Sequence, residues 1–247
     1  MLDAAQATWE EVRDKIASGA VAVMGLGALE QHGPHLPLAT DTIIAGEVAR
    51  RLAEAVDALL LPAAPLGDAW NNEGFPGTLS LSPETVRAIV VDIGRGLKAS
   101  GVRALIVVNG HFGNREPIAR AARQLAQAES FPVLCLDYPG LEGIAAEICE
   151  TKPAGAGFYH ADEFETSLIL ALDPGSVRAA KARAEYPIFP QTFGSEPIML
   201  HTFCTSGVFG DPTAATAEKG RRLLSAVTAE CLNVVRPFLA SLDEASD

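Results

Sequence analysis

The sequence predicts an α/β fold in which helices cover both faces of a mostly parallel central sheet. Short apolar runs typical of strands alternate with longer segments of helical periodicity, in the order β-α-β-α-β-α-β, between residues 20 and 137. Hydrophobic residues make up 48% of the chain and aromatic residues only 6%, so the core must consist mainly of Ala, Val, Leu and Ile. A chain of 247 residues can enclose one large core, and we predict a single domain over residues 1–247.

The elements of the first half follow from apolar periodicity and from residues that begin and end helices. Ser82 and Pro83 form a typical helix start, and Gly101 marks the end of that helix. Asp41 and Thr42 can cap an earlier helix. The predicted strands cover residues 20–27, 59–67, 103–108 and 131–137, and the predicted helices cover residues 4–18, 42–56, 83–100 and the segment containing Ile118, Ala122 and Leu125.

The pattern is weaker after residue 138. Residues 140–150 are compatible with a helix, and a loop with Gly and Pro leads into a second helix that ends at Leu172. Residues 186–210 show no regular period, which predicts an irregular segment or an edge hairpin. A final helix is predicted over residues 212–239, followed by a polar, frayed tail over residues 242–247.

Charge and cysteine content exclude several classes of function. The net charge of −12 and the sequence pI near 4.9 argue against nucleic acid or an anionic membrane as a partner. The N-terminus lacks the basic flank and apolar run of a signal peptide, and no apolar stretch reaches about 18 residues, so we expect a soluble, cytoplasmic protein. No C-x-x-C spacing links the four cysteines, which we interpret as reduced thiols: Cys135, Cys149, Cys204 and Cys231.

The segment that follows the first predicted strand carries two carboxylates and two imidazoles within twelve positions. These are Glu30, His32, His35 and Asp41, in a loop held by glycine and proline. In an extended segment, Glu30 and His32 point to the same side, so they can offer an oxygen and a nitrogen ligand to one metal ion. Such a donor set suits zinc, manganese or iron. The alternative is a polar surface loop.

Further candidate residues follow other strands of the predicted sheet. His111 comes directly after the third strand, and ligand sites in open parallel sheets form at the carboxyl ends of the strands. A metal there would lower the pKa of bound water to about 7, and with two metals about 3.5–4 Å apart one carboxylate can bridge them. Asp41 is the natural bridge. Taken alone, His111 could cap a tight turn, and His160 and Glu165 could be a loop histidine and a solvated acid at a helix start.

Four motifs together resemble the creatininase (creatinine amidohydrolase) family. They occur in the order of that family between residues 20 and 172 and comprise residues 30–37 with Thr40 and Asp41, residues 75–80, residues 109–114 and residues 160–167. The resemblance implies a three-layer α/β/α, creatininase-like fold, often assembled as a hexamer. It also implies a homo-oligomer that acts on a small-molecule substrate.

The resemblance further implies two divalent metal ions per chain, zinc, manganese or iron. Glu30, Asp41 and His111 match the ligands of one ion, and His32 and Asp41 match ligands of the other. His160 matches a proton shuttle, and Glu165 matches an acid close to the metals.

Two positions depart from true creatininase. The glutamate that ligates the second metal is replaced by Gly113, so that site has lost a ligand unless Glu165 supplies it. The tyrosine that contacts substrate is replaced by Phe112, which removes a hydroxyl group. The departures argue against creatinine as the substrate.

We therefore predict a metal-dependent hydrolase of a cyclic or formyl amide, with His160 and Glu165 as catalytic groups and Phe112, Trp70 and Asn71 as substrate contacts. The loop that carries Trp70 and Asn71 could instead be a packing or subunit contact. Three other functions remain open: hydrolysis of an oxidised cyclic polyol or lactone, trimming of a peptide in cofactor maturation, and a metal-stabilised assembly protein without turnover.

Overall fold

One five-stranded sheet forms the centre of the computed structural model, which describes residues 1–244. Every strand pairing in this range is parallel, and the strand order is β1-β3-β2-β4-β5. The α/β class with a parallel sheet is thus confirmed. The strands are β1 (Leu2–Asp3), β2 (Ala22–Leu26), β3 (Leu59–Leu60), β4 (Leu105–Asn109) and β5 (Val133–Leu136).

Helices cover both faces of the sheet, which gives the three layers. One core cluster packs α2 (Thr40–Ala55), α5 (Leu141–Ile148), α6 (Glu163–Leu172) and α7 (Ala217–Glu244) against sheet side chains that include Val23 and Ile106. The other packs α3 (Pro83–Ala99) and α4 (Arg115–Glu129) against the opposite face, with α1 (Trp9–Ala17) at its margin. The aliphatic composition permits this close packing, because aromatic rings are nearly absent from both clusters.

The strand order creates a crevice between β2 and β4. The connection after β2 leads to α2 on one face, whereas the connection after β4 leads to α4 on the other face. In an open parallel sheet, such a reversal leaves a gap at the carboxyl ends of the two strands, where ligands bind. The loop after β2 and the turn after β4 both lie over this gap.

Side-chain caps fix the starts of several helices, but not the start of α2. Ser82 Oγ accepts from the amide of Thr85 at the start of α3, as predicted, and Asp162 caps α6 by accepting from the amides of Phe164 and Glu165. Asp41 does not cap α2: that helix begins at Thr40 without a side-chain cap. The carboxylate of Asp41 is used elsewhere.

Several element boundaries differ from the prediction. The second predicted strand is reduced to β3, because the prolines at 62 and 65 cannot donate to a ladder. The two-residue edge strand β1 was missed, since it is too short to show a period. Within the described residues, 186–210 contain a 3-10 helix (Leu200–Thr202) and isolated bridges, but no hairpin. The last helix starts five residues later than predicted and runs to Glu244, while residues 245–247 of the predicted frayed tail lie outside the described residues.

Helix α7 is long and apolar enough to cross a membrane by length and composition alone. Its buried residues nevertheless contribute to the core cluster that covers one face of the sheet. This is the usual place of a core helix in a globular domain.

Candidate metal centre

The loop after β2 folds back on itself and buries its polar side chains. The amide of Glu30 donates to the carbonyl of Leu38 (3.0 Å), and Gly33 turns the chain with a φ of +64°. A Cβ atom at Gly33 would lie 2.6 Å from a methyl group of Val208, so only glycine fits this turn. As a result, Glu30 and His32 enter the crevice as almost fully buried side chains.

The first donor group combines side chains from both sides of the crevice. Nδ1 of His111 lies 3.2 Å from Oε1 of Glu30 and 3.2 Å from Oδ2 of Asp41. The three residues are buried and can hold one metal ion.

The second donor group shares Asp41 with the first. Nε2 of His32 lies 3.0 Å from Oδ1 of Asp41 and 3.6 Å from Oε2 of Glu165. Asp41 therefore presents one carboxylate oxygen to each group, as a bridging ligand does. Glu165 completes the second group.

Backbone carbonyls orient both ligating imidazoles. Nε2 of His111 donates to the carbonyl of Asp68 (2.8 Å), and Nδ1 of His32 donates to the carbonyl of Glu30 (3.1 Å). In the neutral rings, the opposite nitrogens carry no hydrogen and can bind a cation. Such outer hydrogen bonds are typical of metal-ligating histidines.

The donor atoms fit divalent metal ions. Two ligands bound to one zinc ion at about 2.0–2.2 Å in tetrahedral geometry lie roughly 3.3 Å apart. The four histidine-to-carboxylate distances within the two groups span 3.0–3.6 Å. Nε2 of His32 and Oδ2 of Asp41 are buried without a hydrogen-bond partner among the described residues. Such atoms are costly unless a cation meets them.

The charges of the site favour a cation as well. Burial opposes ionisation of Glu30 and Asp41, but the His111 and His32 rings outweigh it and lower the pKa of both carboxyls. Burial likewise opposes protonation of His32 and His111, but the surrounding carboxylates raise the pKa of both rings. Three carboxylates are thus crowded into a buried space that attracts positive charge.

Gly113 has no room for a side chain, so the glutamate ligand that the family resemblance implies at this position cannot be accommodated. A Cβ atom there would lie 2.0 Å from the carbonyl oxygen of Asp68 and 2.8 Å from Nε2 of His111. The carbonyl of Asp68 that orients His111 therefore occupies the space of a side chain. Glu165 enters the second donor group from α6 instead.

His160 lies beside both groups. Its Nδ1 is 3.6 Å from Oε1 of Glu30, and its ring stacks at 4.5 Å on the ring of His32. Burial and the neighbouring His32 lower the pKa of His160. With Glu30 and His32 it forms a third possible donor group.

His35 is the one imidazole of the first motif that lies outside the centre. Its Nε2 is 2.9 Å from Oγ1 of Thr166, and the ring is fully buried. It ties the loop after β2 to α6.

Gln31 was not given a role from the sequence, and Asn72 was expected only as part of the substrate-contacting loop that carries Trp70 and Asn71. Nδ2 of Asn72 donates to Oε2 of Glu30 (2.7 Å), and Nε2 of Gln31 donates to Oδ1 of Asn72 (2.8 Å). Gln31 lies between two predicted ligands, and Asn72 follows the predicted contact Asn71. The only signal for these two residues in the sequence was their position next to residues with predicted roles.

A cavity of about 760 Å³ opens onto the centre. The predicted substrate contacts Trp70, Asn71 and Phe112 all line it, and Phe112 is 62% exposed beneath the Arg115 guanidinium, 4.0 Å from its ring centroid. The opposite wall was not foreseen, because it comes from the irregular segment. Its residues include Phe193, Pro197, Ile198 and Leu200, and Phe158 joins them from the loop before α6.

Comparison with known proteins gives a consistent result. The family model described as Creatininase: Creatinine amidohydrolase matches residues 5–235. The chain is 34% identical over 235 residues to a mycofactocin precursor peptide peptidase of Mycobacterium tuberculosis (strain ATCC 25618 / H37Rv), covering 90% of this chain and 86% of the relative. It is 31% identical over 244 residues to a creatinine amidohydrolase of Pseudomonas putida (93% and 94% covered). Identity to a 3-dehydro-scyllo-inosose hydrolase of Thermotoga maritima is 25% over 257 residues (94% and 82% covered).

Solved structures agree with the fold. A mutant creatininase of the Zn-Zn type superposes with a TM-score of 0.83 at 30% identity, covering 95% of this chain and 97% of the other. A manganese creatininase gives a TM-score of 0.81 at 30% identity, with 96% and 98% covered.

Proposed function

The chain belongs to the creatininase family of hydrolases, and we propose that it uses metal-activated water to cleave the carbon–nitrogen bond of an amide. The observation that carries this proposal is the position of Asp41, which presents one oxygen to each of two buried donor groups. Both groups lie at the crevice between β2 and β4 and face a cavity large enough for a substrate.

The two donor groups would hold two divalent ions. Glu30, Asp41 and His111 would hold one, and His32, Asp41 and Glu165 the other. Bound ions would polarise the amide carbonyl and lower the pKa of water to about 7. Zinc and manganese are proposed because creatininases of known structure carry them.

Two side chains of this protein would handle protons and hydrogen bonds beside the reacting amide. Glu165 is fixed as an acceptor, because its Oε2 accepts from the amide of Ala161 (2.6 Å), and it is assigned to the proton of the attacking water. His160 is assigned to the leaving nitrogen, as a hydrogen-bond donor or proton carrier. Trp70, Asn71 and Phe112 would contact the rest of the substrate.

The first proposed substrate class is a cyclic or formyl amide. Phe112 gives the cavity an apolar contact in place of a hydroxyl, which argues for a substrate other than creatinine.

A peptide-derived amide is the second candidate. The cavity volume of about 760 Å³ lies in the upper part of the range of about 300–1,000 Å³ that is typical of drug-sized ligands. Creatinine-sized rings would leave most of that space empty. The 34% identity to a peptide peptidase supports the same candidate.

A substrate screen tests the proposal. Metal-loaded protein is incubated with lactams, formamides, short peptides and cyclic diketones, and products are identified by mass. We expect amide substrates to give carbon–nitrogen cleavage products, and the Asp41→Ala variant to give none above background. Turnover of cyclic diketones alone would favour the polyol alternative. If nothing is turned over and metal removal only dissociates an oligomer, the protein is an assembly protein.

A further inference from the structure

Two buried amide side chains connect the Glu30 carboxylate to the ring of His160. Asn72 contacts Glu30 through Nδ2 (2.7 Å) and Gln31 through Oδ1 (2.8 Å). Gln31 in turn contacts Nε2 of His160 through its own Nε2 (2.7 Å). All four residues are at least nine-tenths buried, so protein atoms dominate their hydrogen bonding.

The donor and acceptor directions of these hydrogen bonds are fixed by neighbouring groups that can only donate or only accept. A carboxylate only accepts, so the amide nitrogen of Asn72 must face Glu30, and its oxygen must face Gln31. The backbone amide of Gly33 only donates, and it meets Oε1 of Gln31 at 2.9 Å. The carbonyl of Gly207 only accepts, and it lies 3.2 Å from Nε2 of Gln31. Rotating the Gln31 amide by half a turn would therefore break three matched contacts.

The orientation of Gln31 decides the tautomer of His160. An amide nitrogen has hydrogens and no lone pair free to accept, so Nε2 of His160 cannot donate in this contact and must be the acceptor. The two hydrogens of the Gln31 amide are shared among this nitrogen, the Asn72 amide oxygen and the more distant Gly207 carbonyl. A neutral imidazole carries its hydrogen on the other nitrogen, Nδ1, which faces Oε1 of Glu30 at 3.6 Å. A second ring hydrogen on Nε2 would meet the amide hydrogens of Gln31 with no acceptor.

We propose that Gln31 and Asn72 are positioning residues that hold His160 as the Nδ1–H tautomer, so that it meets the substrate as a hydrogen-bond donor from Nδ1. The kinetic part of this inference rests on the proposed amide hydrolysis. In that reaction the carbon–nitrogen bond breaks and a carbon–oxygen bond forms. The proton lost by the attacking water travels through Glu165 to the leaving nitrogen.

The same tautomer excludes His160 as a metal ligand. In the donor group with Glu30 and His32, His160 approaches Glu30 through Nδ1 (3.6 Å), so binding an ion there would require a bare Nδ1. With hydrogen on Nδ1, only the two groups that share Asp41 remain.

Nitrogen NMR of the zinc-loaded protein tests the tautomer without any substrate. With ¹⁵N-labelled histidine, the His160 signals are assigned by their loss in His160→Ala. We expect Nδ1 of His160 to be protonated and Nε2 to be bare. Hydrogen on Nε2 in the wild type would overturn the proposal.

The variant Gln31→Glu reverses the polarity with nearly the same shape. Its carboxylate accepts but does not donate, so the hydrogen of His160 should move to Nε2. We expect kcat to fall by roughly 10–100-fold, the usual effect of changing such an outer contact, with KM little changed. Metal content should stay that of the wild type. Asn114→Asp is the matched control, because Asn114 is also a buried amide between backbone groups but does not contact His160.

The outcomes separate this inference from the proposed function. A Gln31→Glu protein whose His160 signals remain unchanged would overturn the positioning role. The Asn114→Asp control should leave those signals unchanged even if it unfolds more easily. If the tautomer shifts as expected but no amide is ever cleaved, the tautomer assignment stands and the proposed function fails.

Discussion

Asp41 has an unusual position for the second residue of a helix. Its carboxylate does not cap α2 but lies between His32 and His111, 3.0 and 3.2 Å from their ring nitrogens. Each oxygen belongs to a different donor group. Removal of this residue therefore affects both groups, whereas removal of Glu165 affects one.

Metal content should follow that division. Elemental mass spectrometry on protein purified without added metal is expected to give about two ions per chain for the wild type, a stoichiometry that rests on the two-metal site. Asp41→Ala should bind almost none and Glu165→Ala about one. Asp92→Asn, an exposed acid on α3, is the control. One ion in the wild type, unchanged without Glu165, would contradict the second group.

Gly113 is constrained by the carbonyl of Asp68. The variant Gly113→Ala should shift that carbonyl and the His111 ring it orients, and we expect a loss of about 1–3 kcal/mol in the free energy of unfolding, as for other overpacked sites. Gly96→Ala is the matched control, since a Cβ there meets nothing within 4 Å, and it should stabilise α3 by about 0.5–1 kcal/mol. Urea titration measures both. Equal stability of Gly113→Ala and wild type would mean that the backbone can yield.

At the level of elements, Glu185 closes the irregular segment that forms one wall of the cavity. Its backbone pairs with Gly210, and its carboxylate accepts from the amides of Thr205 (2.8 Å) and Ser206 (2.7 Å). Burial alone would raise the pKa of this carboxyl, but the hydrogen bonds from Ser206 and Thr205 outweigh it and lower the pKa to about 2.

The stabilising effect of Glu185 should depend on pH. Because the pKa is lower in the folded protein, its contribution is full above the unfolded value of 4.5 and is lost as the pH falls toward about 2. Glu185→Gln should therefore unfold at a lower urea concentration than wild type at pH 7. The difference between the two urea midpoints should be smaller at pH 3. Glu10→Gln, an exposed acid on α1, is the control. A difference in urea midpoint that does not change with pH would contradict a stabilising role for the ionised Glu185 carboxylate.

Gly207, in the same irregular segment, leaves space for the side chain of Gln31. It has a φ of +80°, and a Cβ atom would lie 1.7 Å from Oε1 of Gln31. We expect Gly207→Ala to displace Gln31 and to lower kcat by roughly 10–100-fold at unchanged metal content. Gly101→Ala carries the same left-handed strain (φ +91°) far from the centre and should leave kcat unchanged. Full activity of Gly207→Ala would show that Gln31 can adapt.

At the level of the whole molecule, we propose from the family resemblance that the protein forms a homo-oligomer, with a hexamer as the expected form. A cytoplasmic location likewise stays a prediction. Ile188 is 90% exposed and Tyr186 is 52% exposed on the same irregular segment. Contiguous apolar patches on a protein surface mark contact sites, and we expect these two side chains to belong to one. Light scattering should show a homo-oligomer for wild type and a smaller mass for Ile188→Lys. A monomeric wild type would contradict the proposal.

Much of the fold and centre could be predicted because the signals are local. The alternation of strands and helices indicated a parallel sheet, and the carboxyl ends of its strands indicated where Glu30, His32 and His111 meet. The contacts of Gln31 could not be predicted in this way. They join residues 41, 129 and 176 positions apart, and no periodicity carries such information. The wall from residues 186–210 was missed for the same reason.

The first donor group draws on chain segments that lead to opposite layers of the fold. Asp41 begins α2 on one face of the sheet, while His111 precedes α4 on the other. An ion bound by Glu30, Asp41 and His111 would therefore link the two outer layers at the carboxyl ends of the strands. At a free metal concentration 100 times the dissociation constant, binding of this ion would add about 2.7 kcal/mol to the free energy of unfolding. Removal of the ion by a chelator should accordingly speed amide hydrogen exchange in α2 and α4 together. The proposed metal centre would then also stabilise the packing of the two helical layers.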